Sequence, residues 1–365
     1  MNTPMQTADP TTLPPLQLAV RLYDHYASIA EVKHYYGLLA IYGLCRTAEL
    51  IEDGGTLLER CRGILDGFPD RLCHPQYNFP SYRIGGIPRA YMLYRGHMTN
   101  DATRRYVDHY AQEMMLAARD RKGLMSNPYC PPLERVWIDV AMAVTPYLLF
   151  AGLALDEPRY IDEAATQALL HYEEFLDPDN GLLHQARNFN GPGNYSQDHW
   201  GRGNGWGYIA LTELVQHLPA DSPHRPQIER CFRDLSAALL PHQSDRGLWR
   251  QEIPLPEAWE ESSGTGLILY GYGVGLRCGL LDAAAYRPAF DRGVAALRSY
   301  CINDDFSTEL CCHGCLCPGQ DGRKGTVDAY LHDVKPVRDD PHSFGPIMLA
   351  LTEQARLLGA DGQIR

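Results

Sequence analysis

The sequence predicts an all-α fold in which pairs of helices form a ring. Apolar residues recur at helical spacing in segment after segment, and almost no stretch alternates with a period of two. Short connections such as 156–158 alternate with long loops. The long loops at 177–203, 241–262 and 301–342 are expected to gather at one end of the ring. The predicted helices span residues 15–29, 34–52, 55–67, 84–97, 101–119, 134–155, 159–176, 204–218, 224–240, 263–280, 285–300 and 343–359.

The chain is predicted to hold one domain, preceded by a short tail. Residues 1–14 are polar and rich in Pro and Thr, which favours a flexible N-terminal segment. No Pro/Ser-rich linker interrupts the helical pattern that follows. We therefore assign residues 15–365 to a single domain.

Charge and composition limit the partners of this chain. A net charge of −12 disfavours binding to nucleic acid and to anionic membranes, although local cations can still hold a small anionic substrate. The sequence has no apolar stretch long enough to span a membrane, and no basic and apolar leader at its start. Eleven scattered cysteines, an odd number, favour free thiols over a disulfide framework. We expect a cytoplasmic protein. The sequence does not decide whether it is a monomer or a homo-oligomer.

A glycine-rich segment at residues 198–207, which reads DHWGRGNGWG, is the most informative motif. Flat tryptophan faces and the planar arginine fork suit a sugar ring that carries a carboxylate, which is a uronic acid. The alternative is a glycine-rich turn whose tryptophans belong to the core. A dinucleotide-binding loop is less consistent, because no buried strand precedes the motif. The candidate substrate-binding residues of this segment are His199, Trp200, Arg202, Asn204 and Trp206.

Asp139 is the second strong feature, because it is the charged residue of the otherwise apolar segment 136–144. Burial disfavours a carboxylate, so a desolvated Asp has a raised pKa and can stay protonated near neutral pH. A general acid needs that property. The alternative is a structural carboxylate that caps a neighbouring helix or pairs with Arg135 or Arg202.

Several motifs, in family order between about residues 130 and 350, resemble glycoside hydrolase family 105, the unsaturated rhamnogalacturonyl hydrolases, and the related family 88 of unsaturated glucuronyl hydrolases. Residues 200–206 (WGRGNGW) carry the resemblance, together with 136–139 (VWID), which is similar to the segment that holds the family's catalytic aspartate. Further matches are 181–184 (GLLH), 247–251 (GLWRQ), 261–264 (ESSG) and 335–342 (KPVRDDPH).

This resemblance implies an (α/α)6 barrel that removes a terminal Δ4,5-unsaturated uronic acid, the end that polysaccharide lyases leave on oligosaccharides. Asp139 would protonate C4 of the enol ether and water would add at C5. The resulting hemiketal would open and expel the aglycone, with no metal and no other cofactor. His184 and Arg202 would hold the carboxylate or the hydroxyl groups of the sugar. The stacking surfaces would come from Trp200, Trp206 and Trp249.

The N-terminal third differs from the family pattern. Residues 32–38 read VKHYYGL where the family has a Trp-x-Tyr pair, and 78–83 read NFPSYR where a second aspartate is usual. We expect these segments to build a different wall of the pocket, with Tyr36 and Arg83 as substrate-binding residues. His342 from the C-terminal loop either lines the pocket or ties down loop carbonyls. The residues considered for the wall are His34, Tyr35, Tyr36, Asn78, Tyr82 and Arg83.

A hydrolase of saturated β-glucuronides that uses two carboxylates is the main alternative function. Asp139 would be one carboxylate. The candidates for the second are Glu261, Asp340, Asp198 and Glu252. For Glu261, a charge at a helix N-terminus is an equally good interpretation. Two other classes are a barrel that binds carbohydrate without catalysis, and a sugar-epimerising or polyprenyl-type (α/α)6 enzyme whose pocket is dominated by histidines.

A cysteine-rich cluster lies in the C-terminal loop. It supplies soft ligands, but its spacing lacks the two-residue gap of a zinc knuckle and no second Cys/His pair follows it. We therefore predict buried or loop thiols and no metal site. The residues of the cluster are Cys311, Cys312, His313, Cys315 and Cys317.

Overall fold

Thirteen α-helices lie in the residues that the computed structural model describes, which are 7–72, 78–126, 134–315 and 326–360. They are α1 (Pro15–Ile29), α2 (Gly37–Ala48), α3 (Gly54–Asp66), α4 (Gly86–Tyr94), α5 (Asp101–Met115), α6 (Asp139–Leu155), α7 (Pro158–Phe175), α8 (Gly201–His217), α9 (Arg225–Leu239), α10 (Ser262–Arg277), α11 (Ala283–Tyr300), α12 (Val327–His332) and α13 (Pro341–Ala360). Three antiparallel ribbons are β1 (Val136–Trp137) with β2 (Ala186–Arg187), β3 (Trp249–Arg250) with β4 (Glu260–Glu261), and β5 (Cys311–Cys312) with β6 (Pro336–Val337). Short 3-10 helices occupy Pro80–Gly85 and Leu240–His242. None of the described helices is long and apolar enough to cross a membrane.

Six of these helices form a closed inner ring. Around the ring α2 packs on α4, α4 on α6, α6 on α8, α8 on α10 and α10 on α13, and α13 returns to α2. A second layer surrounds the ring, in which α1, α3, α5, α7, α9 and α11 pack on the inner helices. This arrangement is an (α/α)6 barrel, so the predicted all-α ring of helical hairpins is confirmed.

The two layers differ in sequence because they differ in exposure. Every residue of α2 is buried, and so is each residue of α8 up to Val215. The outer helix α9 buries one stripe of six side chains and leaves the others wholly or partly exposed. Glycine lets the inner helices approach closely, since a Cβ on Gly264 of α10 would lie 2.5 Å from the carbonyl carbon of Gly201 in α8.

The inner helices run in the same direction, and a buried polar cluster at their C-terminal halves demonstrates it. Arg46 of α2 donates to Glu353 of α13 (3.0 Å) and to the hydroxyl of Tyr270 in α10 (2.7 Å). The Tyr270 hydroxyl donates in turn to Glu213 of α8 (2.7 Å), and all four side chains are buried. The N-termini of these helices therefore meet at the opposite end of the barrel, where their partial positive charges favour an anion.

Several boundaries differ from the predicted ones. The predicted helix 134–155 begins only at Asp139, because residues 136–137 form β1. The glycine-rich motif is not a turn, since α8 begins at Gly201 and runs through the glycines. The predicted loop 301–342 contains α12 and the β5–β6 ribbon, which are too short for apolar periodicity to reveal.

Hydrogen bonds link the described part of the N-terminal segment to the barrel. The guanidinium of Arg298 in α11 donates to the carbonyl oxygens of Pro10 (3.0 Å) and Thr11 (3.2 Å). These bonds attach the segment to the outer layer of helices. Residues 1–6 lie outside the described part of the chain.

Candidate active site

Asp139 is the first residue of α6, at the end of the barrel where the inner N-termini meet. Its side chain is partly exposed, whereas its neighbours Ile138 and Val140 are buried. The extended strand β1 ends two residues before it at Trp137, and the Ile138 N–H, already in helical backbone geometry, donates to the carbonyl of Gln185 (3.0 Å). Asp139 therefore stands at the start of α6, as a partly exposed residue, rather than in the interior of an apolar helix as predicted.

Gln185 holds the Asp139 carboxyl group. Its Nε2 donates to Asp139 Oδ2 at 2.7 Å, and the Gln185 side chain is fully buried. Gly203 in the first turn of α8 makes room for it, since a Cβ on Gly203 would overlap Gln185 Oε1. The sequence analysis selected the neighbouring His184, as a substrate-binding residue, and not Gln185. Successive side chains of an extended segment point in opposite directions, so only one of the two can face Asp139.

Burial raises the pKa of Asp139 to about 6. The Gln185 hydrogen bond and the charge of Arg202 oppose this rise, and the carboxyl group of Asp198 adds to it. Asp139 can therefore hold a proton at mildly acidic to neutral pH, which is the state that a general acid needs.

The structural alternative for Asp139, an ion pair with Arg135 or Arg202, does not hold. Arg135 is exposed and its guanidinium lies 5.5 Å from the centre of the Phe189 ring. Arg202 is within electrostatic reach of Asp139, but its ion pair is with Glu261 at 3.7 Å.

A narrow aromatic cavity lies one helical turn from Asp139, where Met142 of α6 lines it. Tyr36, Trp206 and His342 line the same cavity, so the structure brings these three predicted substrate-binding residues together. Tyr36 packs edge-on against His342, with 5.5 Å between the ring centres. The other lining residues are Tyr35, Leu39 and Pro346.

Tyr35 and Tyr82 extend this aromatic wall towards Asp139. The Tyr35 hydroxyl is 2.8 Å from His342 Nε2, and its ring centre is 5.7 Å from that of Tyr82. Burial raises the pKa of Tyr82, and the charge of Asp139 raises it further, so the phenol lies near the acid. These tyrosines provide flat faces of the kind for which the resembled family uses a tryptophan.

Asp340 orients His342 and keeps its own charge. His342 Nδ1 and the His342 backbone N–H lie 2.7 and 3.0 Å from Asp340 Oδ1, and His313 Nδ1 lies 2.7 Å from Oδ2. Burial lowers the pKa of His342 to about 4, and the charge of Arg202 acts in the same direction. Burial alone would raise the pKa of Asp340, but the His342 hydrogen bonds and the Arg202 charge hold it well below its usual range. Asp340 is therefore an ionised orienting group and not a proton donor.

Arg202 is a buried structural contact rather than a clamp for the substrate. Its guanidinium donates to Ser263 Oγ (2.9 Å) and to the carbonyl oxygens of Cys312 and His313 (3.2 Å to the latter). It also lies 4.4 Å from the ring centre of Trp200, and its side chain is 2% exposed. The predicted contact with a substrate carboxylate is corrected accordingly, because these bonds join the starts of α8 and α10 to β5.

Three further predicted binding residues belong to the core. Trp249 is fully buried, and its Nε1 donates to the carbonyl of Leu239 (2.8 Å). Asn204 is fully buried, and its side chain bonds both backbone groups of Leu183 (2.8 and 3.0 Å). Trp200 is also buried. The alternative that the tryptophans of the glycine-rich motif are core residues fits the burial of Trp200, whereas Trp206, which is 4% exposed, also lines the cavity.

Arg83 contacts the outer layer and does not line the cavity. Its guanidinium pairs with Glu113 of α5 (3.3 Å) and lies 5.7 Å from the ring centre of Tyr110. Asn78 bonds both backbone groups of Leu72 (2.5 and 2.8 Å). The wall expected from this segment is thus provided by its tyrosine and not by its arginine or asparagine.

The candidates for a second carboxylate are all buried. Glu261 precedes α10 and accepts a hydrogen bond from the Gly264 N–H (2.5 Å), so its interpretation as a helix cap is confirmed. Both carboxylate oxygens of Glu252 accept a hydrogen bond from the backbone N–H of His199 (2.9 Å each). Burial raises the pKa of Asp198 to about 6, and the Glu252 charge adds to this rise. The exposed fractions are 0% for Glu261, 0% for Asp198, 1% for Glu252 and 3% for Asp340.

His184 and His199 lie together on the side opposite Gln185. His199 Nε2 is 2.8 Å from Asp177 Oδ2, and His184 Nε2 is 3.9 Å from the same oxygen. Both rings therefore face Asp177, and their contact with the substrate stays a prediction.

The cysteines of the C-terminal cluster that the structure describes, Cys311, Cys312 and Cys315, are free thiols. Cys311 and Cys312 are buried in β5, and Cys311 Sγ is 3.8 Å from the Arg202 guanidinium. Cys317 lies outside the described residues. Within the described ranges, no group of three potential metal ligands includes a cysteine.

Residues 32–358 match the model of the family described as Glycosyl Hydrolase Family 88. The chain belongs to this family. It is 30% identical over 220 residues to an unsaturated 3S-rhamnoglycuronyl hydrolase of Formosa agariphila, a match that covers 57% of this chain and 54% of the relative. It is 25% identical over 130 residues to an unsaturated rhamnogalacturonyl hydrolase of Bacillus subtilis, which covers 36% and 38%. The chain thus spans about half, or less, of the length of these curated relatives.

A solved structure shares the fold of this family 88 protein. A possible member of the GH105 family from Klebsiella pneumoniae superposes with a TM-score of 0.79 at 19% identity, over 94% of this chain and 93% of the other. The family resemblance that the motifs indicated is therefore confirmed, as is the (α/α)6 architecture.

Sequence analysis missed Gln185 and did not assign Met142 to the cavity. Met142 lies three residues after Asp139, so helical spacing alone places it one turn beyond the acid. Gln185 had no comparable signal, since the sequence does not show which face of the extended segment 183–187 turns inward.

Proposed function

We propose that this chain hydrolyses oligosaccharides that end in a Δ4,5-unsaturated glucuronyl or galacturonyl residue, and releases that residue. The observation that carries the proposal is one partly exposed carboxyl group with a raised pKa, Asp139, where the inner helices begin. The names of the two curated relatives support the substrate class.

One acid suffices for this reaction. Asp139 donates its proton to C4 of the enol ether, and water adds at the C5 cation that results. The Asp139 carboxylate accepts the proton that the water loses. The hemiketal formed at C5 then opens, and the bond to the aglycone breaks at the former anomeric carbon. Gln185 keeps the carboxyl group in position during both proton transfers.

Recognition of the uronate follows from the helix ends. Tyr36 immediately precedes α2, Asp139 begins α6 and His342 is the second residue of α13. The partial positive charges of these helix starts favour a carboxylate, although the net charge of the chain is −12. Tyr36 and Trp206 offer ring faces to the sugar, and the low pKa of His342 leaves its imidazole neutral.

The alternatives have less support. A saturated glucuronidase needs a second carboxylate that reaches the substrate, and the four candidates are buried at 0–3% exposure. The cavity is lined by one histidine, His342, among the described residues, so a pocket dominated by histidines is not supported either.

A comparison of two substrates tests the proposal. The purified chain is expected to remove the ultraviolet absorbance of the conjugated double bond from lyase-generated uronide oligosaccharides. It is expected to leave 4-nitrophenyl β-glucuronide intact. The reverse result would support the two-carboxylate alternative, and a chain that binds both without turnover would be a binding barrel.

The pH dependence of the reaction is expected to follow Asp139. Its acid form predominates below a pKa of about 6, so kcat falls as pH rises above that value, by about tenfold per pH unit at the limit. A profile of kcat between mildly acidic and alkaline pH measures this limb. A rate that stays constant up to pH values well above 6 would show that another group donates the proton.

Replacing Gln185 with Leu is expected to move the fall in kcat to higher pH. The Gln185 amide stabilises the ionised form of Asp139, so its loss raises the pKa of the acid. Looser positioning also lowers kcat, by about tenfold. The matched control is Gln197→Leu, at an exposed glutamine of the same loop, which leaves the profile unchanged. An unchanged limb in Gln185→Leu would contradict the assigned contact.

We further propose that the chain works in the cytoplasm. All eight cysteines of the described residues are free thiols, which suits a reducing compartment.

A further inference from the structure

Three potential metal ligands converge outside the candidate active site. Asp177, His184 and His199 each offer one donor atom, and these atoms lie within 4.8 Å of one another. His199 Nε2 is 2.8 Å and His184 Nε2 is 3.9 Å from Asp177 Oδ2. Among the residues that the structure describes, this is the one such group of three or more His, Cys, Asp or Glu side chains.

Backbone hydrogen bonds in the loop between α7 and α8 bring these three residues together. The chain turns back on itself after Asp177, whose N–H donates to the carbonyl of Leu182 (2.8 Å). His184 follows that turn, and its N–H donates to the carbonyl of Phe175 (2.8 Å). His199 arrives from the far end of the same long loop, two residues before α8. Asp177 and His184 therefore lie at the start of this loop, and His199 lies at its end.

Neighbouring groups contact each of the three donor residues. Glu252 Oε1 lies 3.5 Å from His199 Nδ1, which leaves Nε2 to face Asp177. Asn180 Nδ2 donates to Asp177 Oδ2 (2.9 Å) and lies 3.2 Å from His199 Nε2, so an ion that binds these two donor atoms displaces the Asn180 amide. The His184 ring stacks on Tyr195, with 5.3 Å between ring centres and 20° between planes. A carboxylate on the far nitrogen of a ligating histidine is a recurrent feature of metal sites.

We propose that Asp177, His184 and His199 bind one divalent first-row transition metal, with Zn²⁺ as the reference ion. Two imidazoles and one carboxylate are a ligand set that such ions take, with remaining positions filled by water. Ligand bonds of about 2.0–2.2 Å place tetrahedral donors about 3.4 Å apart. The donors of this site need shifts of the order of 1 Å to reach that spacing. Their side chains are 14%, 19% and 9% exposed, so an ion can enter and water can complete its shell.

The ion would connect the two segments that flank the candidate active site. His184 precedes Gln185, and His199 precedes Trp200, which lies beneath Arg202. Metal binding would therefore fix the backbone behind the residue that holds Asp139, without contact with the substrate. This site is independent of the proposed reaction, and its test does not depend on turnover.

Calorimetric titration of the chelator-treated full chain with Zn²⁺ tests the proposal. One equivalent is expected to bind, and to raise the thermal unfolding midpoint of the chain. His184→Ala and Asp177→Asn are expected to weaken the binding by about 100-fold, and both side chains are partly exposed, so the variants fold. The matched control is His224→Ala, because His224 pairs with Asp162 (2.6 Å) on the protein surface and leaves Zn²⁺ binding unchanged.

Co²⁺ distinguishes this site from the cysteines. Co²⁺ held by imidazole and carboxylate gives no thiolate charge-transfer band, so the spectrum of the bound ion is expected to lack one. Three results would each overturn the proposal. They are no Zn²⁺ binding by the wild-type chain, equal binding by His184→Ala and the wild type, and a thiolate band that disappears when the cysteines are alkylated.

Discussion

Asp139→Asn is expected to lower kcat on an unsaturated uronide by about 10³-fold. The amide is nearly isosteric with the carboxyl group and keeps an oxygen for the Gln185 donor at the same place. It has no acidic proton for C4, so the chemical step loses its donor. Because the fold and the aromatic cavity are unchanged, KM stays close to the wild-type value. Steady-state kinetics with loss of the double-bond absorbance measures the effect.

The control for this substitution is Asp305→Asn. Asp305 is half-exposed, pairs with Arg338 (3.0 Å) on the surface and should leave kcat unchanged. Calorimetric binding of the substrate to Asp139→Asn separates an enzyme from a binding barrel, since an enzyme retains binding while it loses turnover. A variant that keeps more than about a tenth of wild-type activity would exclude Asp139 as the acid.

Arg202→Met is expected to destabilise the fold by about 3–5 kcal/mol. The substitution removes the cation that pairs with Glu261 (3.7 Å), and both side chains are at most 2% exposed. It also leaves the carbonyl oxygens of Cys312 and His313 without their donor. Urea denaturation, followed by circular dichroism, measures the change in the free energy of unfolding.

A surface pair with similar chemistry provides the control. Arg246 pairs with Glu260 (3.1 Å) and lies 4.1 Å from the ring centre of Tyr300, but its side chain is 50% exposed. Arg246→Met is expected to cost less than about 1 kcal/mol. The double variant Arg202→Met/Glu261→Gln is expected to recover part of the loss, because it removes the unpaired buried charge. If Arg202→Met keeps wild-type stability and loses only affinity for uronates, Arg202 contacts the substrate after all.

The fold was predictable because its main signal is local. Apolar spacing at helical intervals arises in the outer helices from the stripe that each one buries. The largely buried inner helices meet the same spacing because they are apolar on most faces, so twelve long helices were found one by one. The prediction failed where elements are held by distant partners. Strand β1 shortens the predicted helix 134–155 because it pairs with β2, some fifty residues later. The bond from Arg298 of α11 to the Pro10 carbonyl is another contact between distant parts of the chain that composition does not reveal.

The candidate site was predictable in part. Asp139 stood out because an isolated carboxyl group in an apolar segment is costly without a role. Tyr36, Trp206 and His342 were selected together with residues of the same types that the barrel buries elsewhere, such as Trp249. Residue type indicates what a side chain can do, but not which way its helix or strand turns it.

The sequence by itself determined the helical ring and the family, and it singled out Asp139 as the proposed acid, since each is written in local spacing or in a short motif. Only the tertiary structure decided which neighbours face that acid. It turned Gln185 towards Asp139 and His184 towards Asp177, and it placed the Arg202 guanidinium between the starts of α8 and α10. The physical reason is that the burial of a side chain, and the groups that it contacts, depend on how elements far apart in the chain pack against each other.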